Sequence, residues 1–205
     1  MLNYIEHSSF RDKKSKESLN LIASNHNNDN VITNKIIGLI IRDLEEELSL
    51  DKVNTENIVI TLKTISNLAN SPNASTIFSE HLQLLDSISS LKYLENEEIS
   101  SIIEEIDNNW IKNKHFLDTL IINNPTYLKN LIAESVHKRN VTILVSLFNN
   151  SVKKLLDASI VNQTNLQYIS EKFSDEEMIN KQLKDVLECE MIENMSDEDD
   201  DVNIS

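Results

Sequence analysis

A chain of 205 residues with one glycine (Gly38) and two prolines (Pro72, Pro125) has few residues that enter left-handed backbone conformations at low cost. A sheet fold built on tight hairpins is thereby excluded, and helices joined by polar loops are expected. The formal charge of −15 includes eight carboxylates and no Lys or Arg between Glu188 and Ser205, which excludes nucleic acid as the main ligand and suits a basic protein partner.

Cys189 is the one cysteine, so an intrachain disulfide is excluded and a reducing compartment, cytoplasmic or nuclear, is expected. The segment Met1 to His7 has no apolar core of signal-peptide length. The longest apolar run, around Ile36 to Ile41, has six residues, far short of a bilayer span.

Residues 1–17 are polar and mixed in charge, and predict a frayed or short first helix. From Ser18 apolar residues return at helical spacing: Leu19, Ile22 and Ala23, then Val31, Ile32, Ile36, Ile37, Ile40, Ile41 and Leu44. Ile58, Val59, Leu62, Ile65, Leu68 and Ala69 form the next stripe, stopped by Asn70-Ser71-Pro72-Asn73 because the residue before a proline disfavours helix. Ile77, Phe78, Leu82, Leu84, Leu85, Ile88 and Leu91 come next, then Ile99, Ile102, Ile103 and Ile106. Phe116, Leu117, Leu120 and Ile121 precede a break at Asn123-Asn124-Pro125, after which come Tyr127, Leu128, Leu131 and Ile132. Val141, Leu144, Val145 and Phe148 lead to Val152, Leu155, Leu156 and Ile160, then Leu166, Ile169 and Phe173. Ser174-Asp175-Glu176-Glu177 reads as a capping box starting a helix with Met178, Ile179, Leu183, Val186 and Leu187 that closes the core. Residues 188–205 read as an acidic disordered tail.

Four asparagines recur through this order: Asn25, Asn67, Asn108 and Asn149, separated by 42, 41 and 41 residues, each closing a short apolar segment. A fixed period of this length is the signature of stacked multi-helix repeats. A second register supports it, since Phe116 to Asn124 aligns with Leu155 to Gln163 at an offset of 39. Asparagine is also abundant, at 27 residues, and favours caps and turns. The four therefore serve either as partner contacts or as caps and bridges between loops.

Thr61-Leu62-Lys63-Thr64-Ile65-Ser66-Asn67-Leu68-Ala69, followed by Ser71-Pro72-Asn73 and Ile77, resembles the end of one armadillo repeat and the start of the next. Leu21-Ile22-Ala23-Ser24-Asn25 with Val31-Ile32 has the same pattern, and the copies around Asn108 and Asn149 keep the stripe and the asparagine. The resemblance covers residues 18 to 173. It implies an all-α fold, a right-handed α-solenoid of about four armadillo-like repeats within residues 18–187. In that family the asparagine often bonds the backbone of an extended peptide along a concave groove, a role implied here for Asn25, Asn67, Asn108 and Asn149. An amide that both donates and accepts suits it.

The chain departs from the family pattern in two respects. The position four residues before each asparagine holds Leu21, Lys63, Glu104 and Val145 where nuclear-import members carry tryptophan. The usual glycine between the first two helices is absent, with Lys35 and His81 near the matching positions. A HEAT-like solenoid and an unrelated helical bundle remain alternatives.

The reading is of a protein-binding scaffold or adaptor that holds a partner protein, such as one with a basic segment, at a surface including Lys63 and Glu104. Compact armadillo nucleotide-exchange factors of Hsp70 resemble the chain in size and make Hsp70 an alternative partner; a structural subunit of a helical assembly is a third reading. Asp107, Glu104 and Glu105 with Glu97 and Glu98 form either an acidic patch or a solvated helix face. Trp110 is either a contact anchor or core. The five scattered histidines and the single glycine offer neither metal-ligand spacing nor a phosphate loop, so no metal, cofactor or enzymatic activity is expected. Ser196, followed by Asp-Glu-Asp-Asp, and Ser174 are candidate phosphorylation sites.

Overall fold

A computed structural model of the chain describes residues 13–25, 30–50, 53–70, 78–149 and 151–197, with the side chains of 30–32, 185 and 189–197 outside that set. The described residues include eleven α-helices and a 3-10 turn, and no strand occurs among them. They are α1 (Lys13–Asn25), α2 (Asn30–Leu48), α3 (Thr55–Ala69), α4 (Gln83–Leu91) with the turn Lys92–Leu94, α5 (Glu97–Lys112) and α6 (Lys114–Asn123). Next come α7 (Pro125–Lys138), α8 (Val141–Phe148), α9 (Val152–Asp157), α10 (Gln163–Lys172) and α11 (Glu177–Asp197). The all-α expectation holds. None of these helices is long and apolar enough to cross a membrane.

Helix ends show how a chain with one glycine makes its turns. Asn54, Asn96, Asn113, Asn124, Asn140 and Asn162 each accept a backbone N–H three residues on, from Asn57, Ile99, Phe116, Tyr127, Ile143 and Asn165 respectively. A helix start leaves its first N–H groups without internal partners, and an asparagine cap satisfies one of them. At Asn162 the bond is reciprocal, because the Asn165 side chain accepts from the Asn162 N–H. Pro125 sits directly after its cap at the first helical position, where its missing N–H costs nothing. Left-handed backbone is taken by Glu95 (φ 50°), Arg139 (φ 53°) and Ser159 (φ 54°), and the first two directly precede capping asparagines.

The chain forms two compact units, one ending at Leu117 and the other starting at Asp118, with the boundary inside α6. In the first unit α3 is the central helix and packs against α1, α2 and α5. Its stripe Ile58, Val59, Leu62, Ile65, Leu68 and Ala69 is buried throughout. Each Leu or Ile so covered contributes roughly 1.5–3 kcal/mol relative to exposure. Trp110 is core, 2 % exposed, with its ring centroid 5.2 Å from Phe78 and 5.4 Å from Phe116. In the second unit α11 packs against α8, α9 and α10, and buries Ile179 and Leu183.

Three segments of the sequence reading take the following form. The polar segment ending at residue 17 is not separate from the first apolar stripe, since α1 runs from Lys13 to Asn25 and buries Lys16 with Leu19 and Ala23; residues 1–12 lie outside the described residues. Ser174 lies three residues before the start of the helix: Glu176 N–H turns back to the Phe173 carbonyl, α11 starts at Glu177, and Asn180 Nδ2 donates to the Phe173 and Ser174 carbonyls. The tail expected from Glu188 is helical as far as Asp197, because Glu, Met and Leu are good helix formers whatever their net charge. Ser196 lies in that last turn, with its side chain outside the described set.

Candidate functional site at the seam of α1, α3 and α5

The helices that carry the first three asparagines pack on one another in sequence, α1 on α3 and α3 on α5. Polar side chains cross both seams. From α1, Lys13 pairs with Glu56. From α3, Asn67 Nδ2 donates to Asn20 Oδ1 (2.8 Å) and Ser24 Oγ (3.0 Å). Toward α5, Lys63 Nζ meets Glu98 Oε1 at 2.9 Å and Ser66 Oγ donates to Glu105 Oε1 at 2.9 Å. Positions 56, 60, 63 and 67 are at helical spacing and share one face of α3.

Lys13, Glu17, Glu56, Ile60, Lys63 and Glu98, drawn from all three helices, line a single recess of about 420 Å³. Two cations face three carboxylates there. The pairs Lys13–Glu56 and Lys63–Glu98 are more than half exposed, and exposed pairs of this kind contribute about 0–1 kcal/mol. Such pairs exchange with other charged groups at little cost. The hydrogen bond and charge of Glu56 raise the pKa of Lys13.

The residues singled out from the sequence fall in different places. Asn25 is the exposed last residue of α1. Asn67 is half-buried and bridges α3 to α1 through its amide, so its donors are spent within the chain. Asn108 and Glu104 are half-buried on α5, one turn apart on the same face. Asn149 is the exposed C-cap of α8, its N–H bonded to the Val145 carbonyl, and belongs to the second unit. Asp107 does not join an acidic patch: it is fully buried and pairs with Lys92 Nζ at 3.1 Å. Glu98 and Glu105 are instead held by Lys63 and Ser66. Among the described residues no cluster of three or more His, Cys, Asp or Glu is placed to hold a metal ion.

Beneath this face lies a charged cluster that the apolar pattern hides. Lys16 Nζ bonds both oxygens of Asp43 and approaches Glu47 Oε1 at 3.6 Å. Thr61 Oγ1 donates to Asp43 Oδ2 (2.9 Å) and Asn57 Nδ2 to Glu47 Oε1 (3.0 Å). All five residues are buried. Burial pushes the Asp43 carboxyl above its ordinary pKa against the pull of Lys16 and Thr61. The cluster locks α1, α2 and α3 together and so fixes the seam above it.

Compared with known proteins, the chain matches no family, no curated protein and no solved structure.

Proposed function

We propose that this chain is a non-enzymatic scaffold, a short armadillo-like α-solenoid that holds a partner protein against the face shared by α1, α3 and α5. The observation that carries the reading is the recess to which all three helices contribute, with Lys63 in its wall and weak, exchangeable ion pairs around it. The successive packing of α1, α3 and α5 supports the repeat reading, because stacked repeats contact their neighbours in order. The partner segment is polar and charged, and its basic groups meet Glu17, Glu56 and Glu98 while an acidic group takes Lys63. Asn108 and Glu104 extend the contact along α5; Asn67 acts chiefly by holding α1 in place.

The test is capture of partners from an extract of the native cell by the unaltered chain and by a Lys63→Glu/Glu104→Lys/Asn108→Ala variant. Loss of the same captured protein with an unchanged melting temperature supports the reading. Undiminished capture overturns it.

A further inference from the structure

The second unit carries a groove of opposite character to the rest of this acidic chain. Helix α7 packs on α8 and α10 on α11, and in the gap between α7 and α10 lies a cavity of about 480 Å³ floored by Ile132, Val136, Ile160 and Ile169. Tyr168, 55 % exposed, forms part of its wall. Lys129, Lys172 and His137 also line it, and among the described residues no carboxylate does. The two lysines stand at opposite ends. Lys129 also lines an adjoining recess with Asn162, Gln163 and Asn165, at the start of α10. At the other end Arg139, directly after α7, donates to the Lys172 carbonyl (3.1 Å), where α10 stops. From Asn165 to Lys172 α10 rises about 10 Å, which sets the separation of the two cations along the groove.

We infer that this groove docks an acidic amphipathic helix of a partner protein, one with two aliphatic side chains between two carboxylates seven residues apart. Charge complementarity selects the outer groups. The chain has 34 acidic and 19 basic side chains, yet the described lining of this groove holds two lysines and no carboxylate, so each end favours an anionic group. Spacing selects the helix. Residues i and i+7 of an α-helix lie about 10 Å apart on one face, with i+3 and i+4 between them on that face. Carboxylates at the outer two positions meet Lys129 and Lys172 while leucine or isoleucine at the inner two enters the isoleucine-rich floor. A helix laid into an apolar groove is a common mode of recognition, and Ala133, small and exposed on α7, leaves room for it. The inference is independent of the face proposed above, which lies in the other unit.

Fluorescence anisotropy of a labelled helical probe peptide mixed with the full chain tests it. The probe has glutamate at its first and eighth positions, leucine at its fourth and fifth, and alanine or glutamine elsewhere. Saturable binding is expected, weakened about tenfold in a Lys129→Glu/Lys172→Glu variant, the effect of reversing two exposed charge contacts. A second probe with lysine in place of both glutamates shows the opposite preference, binding the double variant about tenfold more tightly than the unaltered chain. Ala133→Trp fills the groove from an exposed position and abolishes binding of both probes with an unchanged melting temperature. Absence of saturable binding overturns the inference, as does binding that survives Ala133→Trp. Equal affinity of the two probes for the unaltered chain overturns it too, because charge then selects nothing. So does undiminished binding of the first probe with proline at its sixth position, because the groove then does not read a helix.

Discussion

Replacing Lys16 by methionine removes a cation that contacts two buried carboxylates at once. Lys16 is 2 % exposed, Asp43 8 % and Glu47 5 %. Without it Asp43 keeps the Thr61 hydroxyl and Glu47 keeps the Asn57 amide, while Glu47 Oε2 already lacks a hydrogen-bond partner. Breaking a buried pair from one side costs about 3–5 kcal/mol, a large share of the roughly 5–15 kcal/mol by which a domain is stable. Urea unfolding followed by circular dichroism at pH 7 measures it.

The sign of the pH dependence is set by Asp43. Its folded pKa is raised, so between that value and the unfolded value of about 3.9 the folded state binds more protons than the unfolded chain. This part of the stability is therefore lost as pH rises through the window and regained as pH falls. Lys16 opposes the raising effect of burial. Removing it lifts the folded pKa further, so the deficit of the variant narrows as pH falls from 7 toward 4.5. Adding Asp43→Asn and Glu47→Gln to Lys16→Met recovers much of the loss at pH 7. A cost below about 1 kcal/mol, or a deficit that does not change with pH, refutes the account of the cluster.

Two further substitutions test the helical architecture. Gly38 lies within α2, and a Cβ there meets nothing within 4 Å, so Gly38→Ala raises stability by about 1 kcal/mol in the same assay. Asn96 caps α5 through Ile99; Asn96→Ala costs about 1 kcal/mol and Asn96→Asp much less, because aspartate keeps the accepting oxygen.

The helices were legible wherever a stripe was wholly apolar. Every residue of the stripe from Ile58 to Ala69 is buried, and Pro125 marks the start of α7 as its missing N–H requires. Pattern reading failed where charge points inward. Lys16 occupies the same face as Leu19 and Ala23, and Asp43 and Glu47 flank the apolar Leu44 on α2, so their polarity concealed the core position. Asp107 looked like one member of an acidic run, yet its helix phase with Ile103 and Ile106 turns it toward Lys92. Met178 counted as apolar but is 62 % exposed. Asn25, Asn67 and Asn108 lie on helices that pack in sequence within the first unit, and Asn149 lies in the second. The sequence alone did not reveal that Asn67 uses its amide on Asn20 and Ser24.

The claim that the α1, α3 and α5 face holds a partner is tested most directly by photoreactive residues placed singly at Lys63, Glu104 and, as a control, at Tyr93, which is 87 % exposed on the turn after α4. Irradiation in native-cell extract is predicted to couple one and the same protein at positions 63 and 104 and not at 93. Coupling of that protein equally at 93, or at none of the three while the unaltered chain still captures it, contradicts the account.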